Sequence, residues 1–210
     1  MPSLSDIFTV FFLTLGPIKT IPAFYRLTAK ATPKFRSHLA LKATILATSA
    51  SLFIAFFGRN TLTKWDVSPQ AMQITGGLIL FIYALKLITL QPQPTGGQKA
   101  EADSPLSLAN SLAISPLAIP SIITPYGVVA ILFYMFIARG NHILELQIVG
   151  MVLLMMLLNY LAMMFSYKIM GVIGVPALRL IGWIFAIMQA SLAIELIIKA
   201  LRSLGVVPVR

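Results

Sequence analysis

The sequence predicts an all-α polytopic membrane protein, six transmembrane spans arranged as two inverted three-span repeats with spans 1 and 4 broken. Three observations carry this. The chain is 58% hydrophobic and 10% charged, whereas soluble domains are about 45–50% apolar and about a quarter charged. Its apolar residues gather into six stretches of about twenty, the length that crosses a bilayer as a helix. Two of those stretches, one in each half, are interrupted by proline, which removes a backbone donor and crowds the preceding turn.

The six stretches are Ile7–Tyr25, Leu39–Phe57, Ala71–Leu90, Leu112–Ile137, Gln147–Tyr167 and Leu178–Ile198. No basic n-region or small-x-small cleavage site marks the start, so the first is expected to be an uncleaved span. The fourth is overlong for one helix, which fits a segment that breaks and partly re-enters. Punctuation between stretches comes from Pro33, Gly58, Pro69, Gly140-Asn141 and the run from Gly174 to Pro176. Gln91-Pro92-Gln93-Pro94-Thr95-Gly96-Gly97-Gln98 has linker composition. It divides the chain into a first repeat over residues 1–90, a mobile cytoplasmic linker over 91–110 and a second repeat over 111–210.

The halves resemble each other weakly beyond their breaks. Ala71-Met72-Gln73-Ile74-Thr75-Gly76 matches Ala177-Leu178-Arg179-Leu180-Ile181-Gly182, with Pro69 and Pro176 just ahead. Three spans per repeat force the second copy to insert upside down, so related sites meet near the midplane.

Charge sets orientation. With the N-terminus outside, the inner connectors hold Arg26, Lys30, Lys34, Arg36, Lys42, Lys86, Lys99, Lys168 and Arg179, and the outer ones only Arg59, Lys64, Arg139, Lys199, Arg202 and Arg210. The excess places both termini outside. The net charge of +10 is thus a topology signal, and nucleic-acid binding is not expected. Cysteine is absent, and both histidines, His38 and His142, lie in connectors. Nothing at membrane depth has the pattern of an enzyme or a metal site, so no catalytic residue, cofactor or metal is expected.

The breaks carry the candidate site. Leu15-Gly16-Pro17-Ile18-Lys19-Thr20-Ile21-Pro22 interrupts span 1, and Ile114-Ser115-Pro116-Leu117-Ala118-Ile119-Pro120, continuing to Thr124-Pro125-Tyr126-Gly127, interrupts span 4. Gly16-Pro17, Ser115-Pro116 and Thr124-Pro125 each place a capping residue before a proline at a first helical position. Each would aim free amides and partial positive charge into the bundle, where a carboxylate could bind. Paired breaks in corresponding positions are the best sequence pointer to a transporter's binding site.

Lys19 lies at membrane depth, where a charge costs at least about 2.5–3.5 kcal/mol on insertion scales. It is read three ways: as partner for a substrate carboxylate, as a proton-switching group, or as a snorkelling side chain reaching the inner headgroups. Glu195 is the one acidic residue well inside a stretch; it either opposes Lys19 or pairs with Lys199 four residues on. Gln189, Asn159, Tyr83 and Gln73 either bind substrate or bond helices together. Gly76-Gly77 and Gly182 are expected where helices approach closely.

At these motifs the chain resembles the MarC family of bacterial and archaeal inner-membrane proteins. The resemblance rests on Pro17-Ile18-Lys19-Thr20-Ile21-Pro22-Ala23-Phe24 with Leu27-Thr28, on Ile74-Thr75-Gly76-Gly77-Leu78-Ile79-Leu80-Phe81, and on Pro116-Leu117-Ala118-Ile119-Pro120. It covers essentially the whole chain and implies a six-span carrier, related to the lysine-exporter-like superfamily, for a small metabolite such as a neutral amino acid. The chain departs from the family pattern: Gly16 stands where Asp is common, Lys19 where Gly is common, and Thr124 where Gly is usual. A carboxylate lost and a lysine gained invert the charge of the expected site. The expected function is therefore transport, and specifically export, of a small polar or zwitterionic metabolite. The alternative is a non-transporting scaffold or assembly factor that holds lipid or a partner protein. Expected partners are the substrate, the bilayer and a second copy of the chain.

Overall fold

The computed structural model describes residues 3–89 and 112–208; the linker expected over 91–110 lies outside the described residues. Among them every regular element is helical. Helix α1 (Leu4–Leu15) opens with a reciprocal cap, in which Ser3 Oγ accepts from the Asp6 amide at 3.2 Å and the Ser3 amide donates to Asp6 Oδ2 at 3.0 Å. Gly16 is extended (φ −68°, ψ 162°), a 3-10 turn covers Pro17–Lys19, and α2 runs over Thr20–Leu27. A Cβ on Gly16 would lie 1.9 Å from the Phe12 carbonyl oxygen, so the break is built around a residue without one.

Helix α3 (Pro33–Phe53) is capped by Thr32, widens into a π-helical stretch over Ile54–Gly58 and ends in α4 (Arg59–Lys64). Helix α5 covers Pro69–Thr89. The fourth expected span is divided as the prolines foretell: a π-helical segment over Ala113–Ile122, extended residues Ile123 and Thr124, then α6 (Pro125–Ile137). Both breaks therefore share one form, an extended residue followed by proline at the first helical position.

One expectation fails in this region. Ser115-Pro116 does not start a helix, because the π-helical segment has already begun after Leu112 and carries Pro116 and Pro120 inside it. Two prolines four apart each lack an amide hydrogen, so the ordinary i to i−4 ladder cannot run through this segment.

Helical hydrogen bonding then continues from His142 to Ser203, interrupted in conformation by Gly174 (φ 72°, ψ 165°). The two limbs are α7 (His142–Gly174) and α8 (Leu180–Ser203). Pro176, lacking a donor, lies two residues after Gly174, the residue type that adopts positive φ without strain.

Among the described residues, five helical stretches are long and apolar enough to cross a membrane: Leu4–Leu27, Pro33–Leu62, Pro69–Thr89, His142–Gly174 and Leu180–Ser203. Helix α6 alone, at 13 residues, reaches about 20 Å, short of the roughly 30 Å hydrocarbon core. The core is formed where α1, α2, α3, α6 and α7 meet, with Phe11, Phe24, Leu39, Ile131, Met135 and Met155 buried. Large apolar residues such as Ile45, Phe53, Ile82, Leu157, Ile184 and Ile187 stay exposed, as befits faces meeting lipid rather than water.

Glycine sets two of the contacts. A Cβ on Gly76 would lie 2.7 Å from Val129 of α6, and one on Gly77 would lie 2.8 Å from the Ala193 carbonyl of α8. Gly182 faces open space, so the close approach expected there does not occur.

Candidate functional site

The C-terminal end of α1 presents a backbone problem that the rest of the protein solves. In an unbroken helix the Leu13 carbonyl would accept from residue 17, but Pro17 has no amide hydrogen. Gly16, being extended, also turns the chain away from the carbonyls of Thr14 and Leu15. Three carbonyls thus gather at the negative pole of a half-helix.

Each meets a side-chain donor. Gln189 Nε2, from α8, donates to the Leu13 carbonyl. Lys19 Nζ donates to the Thr14 carbonyl, which also accepts from Thr124 Oγ1 at 3.0 Å. Asn159 Nδ2, from α7, donates to the Leu15 carbonyl at 2.7 Å and to Met155 at 2.8 Å, while its Oδ1 accepts from Thr20 Oγ1 at 2.6 Å. Thr14, Thr20, Thr124, Asn159 and Gln189 are all buried. The broken end of α1 is therefore held by α7, by α8 and by the start of α6.

Lys19 crosses the junction between the breaks. Its ammonium donates to Tyr126 Oη at 2.8 Å and lies 4.8 Å from that ring's centroid. Tyr83 of α5 stacks obliquely on Tyr126, ring centroids 4.6 Å apart, and Tyr83, Thr124 and Gln189 surround the Tyr126 hydroxyl. Both partners of Lys19 are neutral oxygens. Among the described residues no carboxylate forms an ion pair with it. One buried acceptor here, Gln189 Oε1, has no partner.

The second break contributes a cap and a hub. Thr124 Oγ1 accepts from the Gly127 amide at 3.2 Å, starting α6, while donating across to Thr14. The Ile123 amide returns to the Ala118 carbonyl at 2.9 Å. A cavity of about 30 Å³ adjoins the junction, lined by Val10, Thr14, Gln73, Gly76, Tyr126 and Tyr134 among others. That is one water's share of volume. A larger hollow of about 680 Å³ over Ile137 and Arg139 to Leu144 shares none of these residues and opens at a surface loop.

Of the residues singled out in the sequence, Gly16, Pro17, Lys19, Thr20, Thr124, Pro125, Asn159 and Gln189 meet at this junction. Pro22 lies in the first turn of α2. Ser115, Pro116 and Pro120 belong to the π-helical segment. Glu195 lies elsewhere: its Oε1 is 3.9 Å from Lys199 Nζ, both side chains well exposed at 45% and 62%, so it does not oppose Lys19. Tyr126 and the carbonyls of Leu13, Thr14 and Leu15 also meet at this junction, and the sequence did not single them out as site residues. Tyr126 had a signal, since it directly follows Thr124-Pro125; the carbonyls had only the missing hydrogen of Pro17. Among the described residues no three His, Asp or Glu side chains gather to hold a metal.

The profile described as MarC family integral membrane protein matches residues 1–204. Among relatives, a UPF0056 membrane protein of Archaeoglobus fulgidus is 25% identical over 92% of this chain and 90% of its own length. One from Methanocaldococcus jannaschii is 26% identical over 93% and 94%. One from Chlamydia pneumoniae is 30% identical over 92% and 91%. No solved structure matches the chain.

Proposed function

We propose that the chain, which belongs to the MarC family of integral membrane proteins, is a membrane transporter that exports a small polar metabolite bearing a carboxylate. The observation that carries this reading is Lys19, lodged between the two breaks and held, among the described residues, by the Thr14 carbonyl and the Tyr126 hydroxyl. A protonated lysine has three donors, so in that form the charge and one N–H remain for a ligand. An intramembrane charge kept without a counter-charge is functional by default.

In this reading the two halves are inverted repeats related by a two-fold axis in the membrane plane. The chain sits in the inner membrane with both termini outside, and the midplane site is exposed to each side in turn. The conformation described is closed, since about 30 Å³ admits water and no metabolite. That same closure is what favours the second reading, a scaffold or assembly factor that moves nothing.

Flux separates them. Purified protein in vesicles loaded with a mixture of isotope-labelled small metabolites is expected to release at least one carboxylate-bearing compound, and Lys19→Met to abolish that release while leaving the melting temperature within a few degrees. Absence of any flux supports the scaffold. Undiminished flux in Lys19→Met removes Lys19 from the site.

A further inference from the structure

The broken end of α1 is a place that attracts cations. Three carbonyls converge at a half-helix C-terminus, the arrangement that elsewhere in transporters coordinates a cation, and that would equally receive a substrate's ammonium group. Here it is already filled. Gln189 takes the Leu13 carbonyl, Asn159 takes the Leu15 carbonyl, and the Thr14 carbonyl holds both Thr124 and the ammonium of Lys19. The chain supplies its own cation on a four-carbon tether.

We infer that Lys19 makes this site selective for small organic monoanions that carry no ammonium group, with a 2-hydroxycarboxylate the best fit. This rests on the transport reading and narrows it. A carboxylate favours the protonated form of Lys19, drawing on its third N–H and balancing a charge that Thr14 and Tyr126 do not. An α-amino acid brings an ammonium one carbon from its carboxylate. Bound the same way, that second cation would lie close to Lys19 in a poorly screened interior, where like charges repel most strongly, and the carbonyls that could stabilise it are occupied.

The hydroxyl preference has its own observation. Gln189 is 4% exposed, its Nε2 is committed to Leu13, and its Oε1 has no partner. An acceptor buried in that state is costly, and a ligand hydroxyl donating to it removes the cost. Sites built to bond a substrate hydroxyl discriminate strongly against analogues that lack it.

Lactate, propionate and alanine share a three-carbon carboxylate skeleton and differ at carbon 2 in a hydroxyl, a hydrogen or an ammonium. Uptake of each into vesicles containing the wild-type protein, with thermal stabilisation of the purified protein by each, is the test. Lactate is expected to half-saturate at a concentration at least about tenfold below alanine, with propionate between. Lys19→Gly, which removes the tethered cation, is expected to reverse the order of lactate and alanine. If that variant does not fold, Lys19→Met must lose lactate uptake without losing thermal stability. Alanine handled as well as lactate by the wild type overturns the inference, as does an unchanged ratio in Lys19→Gly or retained lactate uptake in Lys19→Met. Wild-type protein that moves other metabolites but none of these three overturns this inference alone; protein that moves nothing overturns the transport reading as well.

Discussion

The two breaks look alike in sequence and are held in different ways. At the first, α1 ends in carbonyls that no nearby backbone donor can reach; besides Lys19, five positions on from Thr14, the donors are Gln189, Asn159 and Thr124, between 110 and 176 positions away along the chain. At the second, the Ile123 amide returns to Ala118, five residues back, and Thr124 caps its own helix. The first break is a tertiary object, stable only when the bundle is assembled. The second is largely local. A discontinuity that depends on remote donors can be opened by moving those donors, which makes the α1 end the better place for a site that must change shape.

Asn159→Leu should break the comparison hardest. It removes three hydrogen bonds at about 0.6 kcal/mol each on the membrane average, and it leaves the Leu15 carbonyl buried without a donor. About 2 kcal/mol of stability is expected to be lost, measured as unfolding in mixed micelles with increasing denaturing detergent. A loss no greater than that of Thr124→Val would mean the first break does not depend on its remote cap.

Thr124→Val keeps the shape and removes the hydroxyl, costing a helix cap worth about 1 kcal/mol. The Thr14 carbonyl keeps Lys19. Amide exchange at the start of α6 should rise while that of α1 stays near wild type; equal effects on both would show the breaks to be one cooperative unit. Smallest of all is Glu195→Gln. Its pair with Lys199 is long and exposed, so screening holds its worth below about 0.5 kcal/mol, and flux should be unchanged. Lost flux there would give Glu195 a role the geometry does not provide.

Much of this was legible in the residues alone. Pro17 and Pro125 removed backbone hydrogens at fixed positions, and Gly16 and Thr124 before them supplied the conformation and the cap, so both breaks follow from local chemistry. Exposed apolar faces follow from composition and length. The Glu195–Lys199 pair follows from a spacing of four. The errors also have local causes: Ser115-Pro116 has the form of a helix start, but a π-helical turn already under way absorbed both Pro116 and Pro120.

What the residues by themselves could not fix is which donor meets which carbonyl. Lys19 was open to a substrate, to proton exchange or to the headgroups, because a flexible stem of four carbons reaches all three. Packing of α1 against α6 chose Thr14 and Tyr126 for it. Asn159 and Gln189 were open to substrate or, as the commoner role, to helix bonding, and the register of α7 and α8 against the broken end placed them on Leu15 and Leu13. Proline determines where hydrogen bonds are lost, since that is a property of one residue. Where they are recovered is a property of the whole bundle, because the donors arrive from helices whose positions no local pattern encodes.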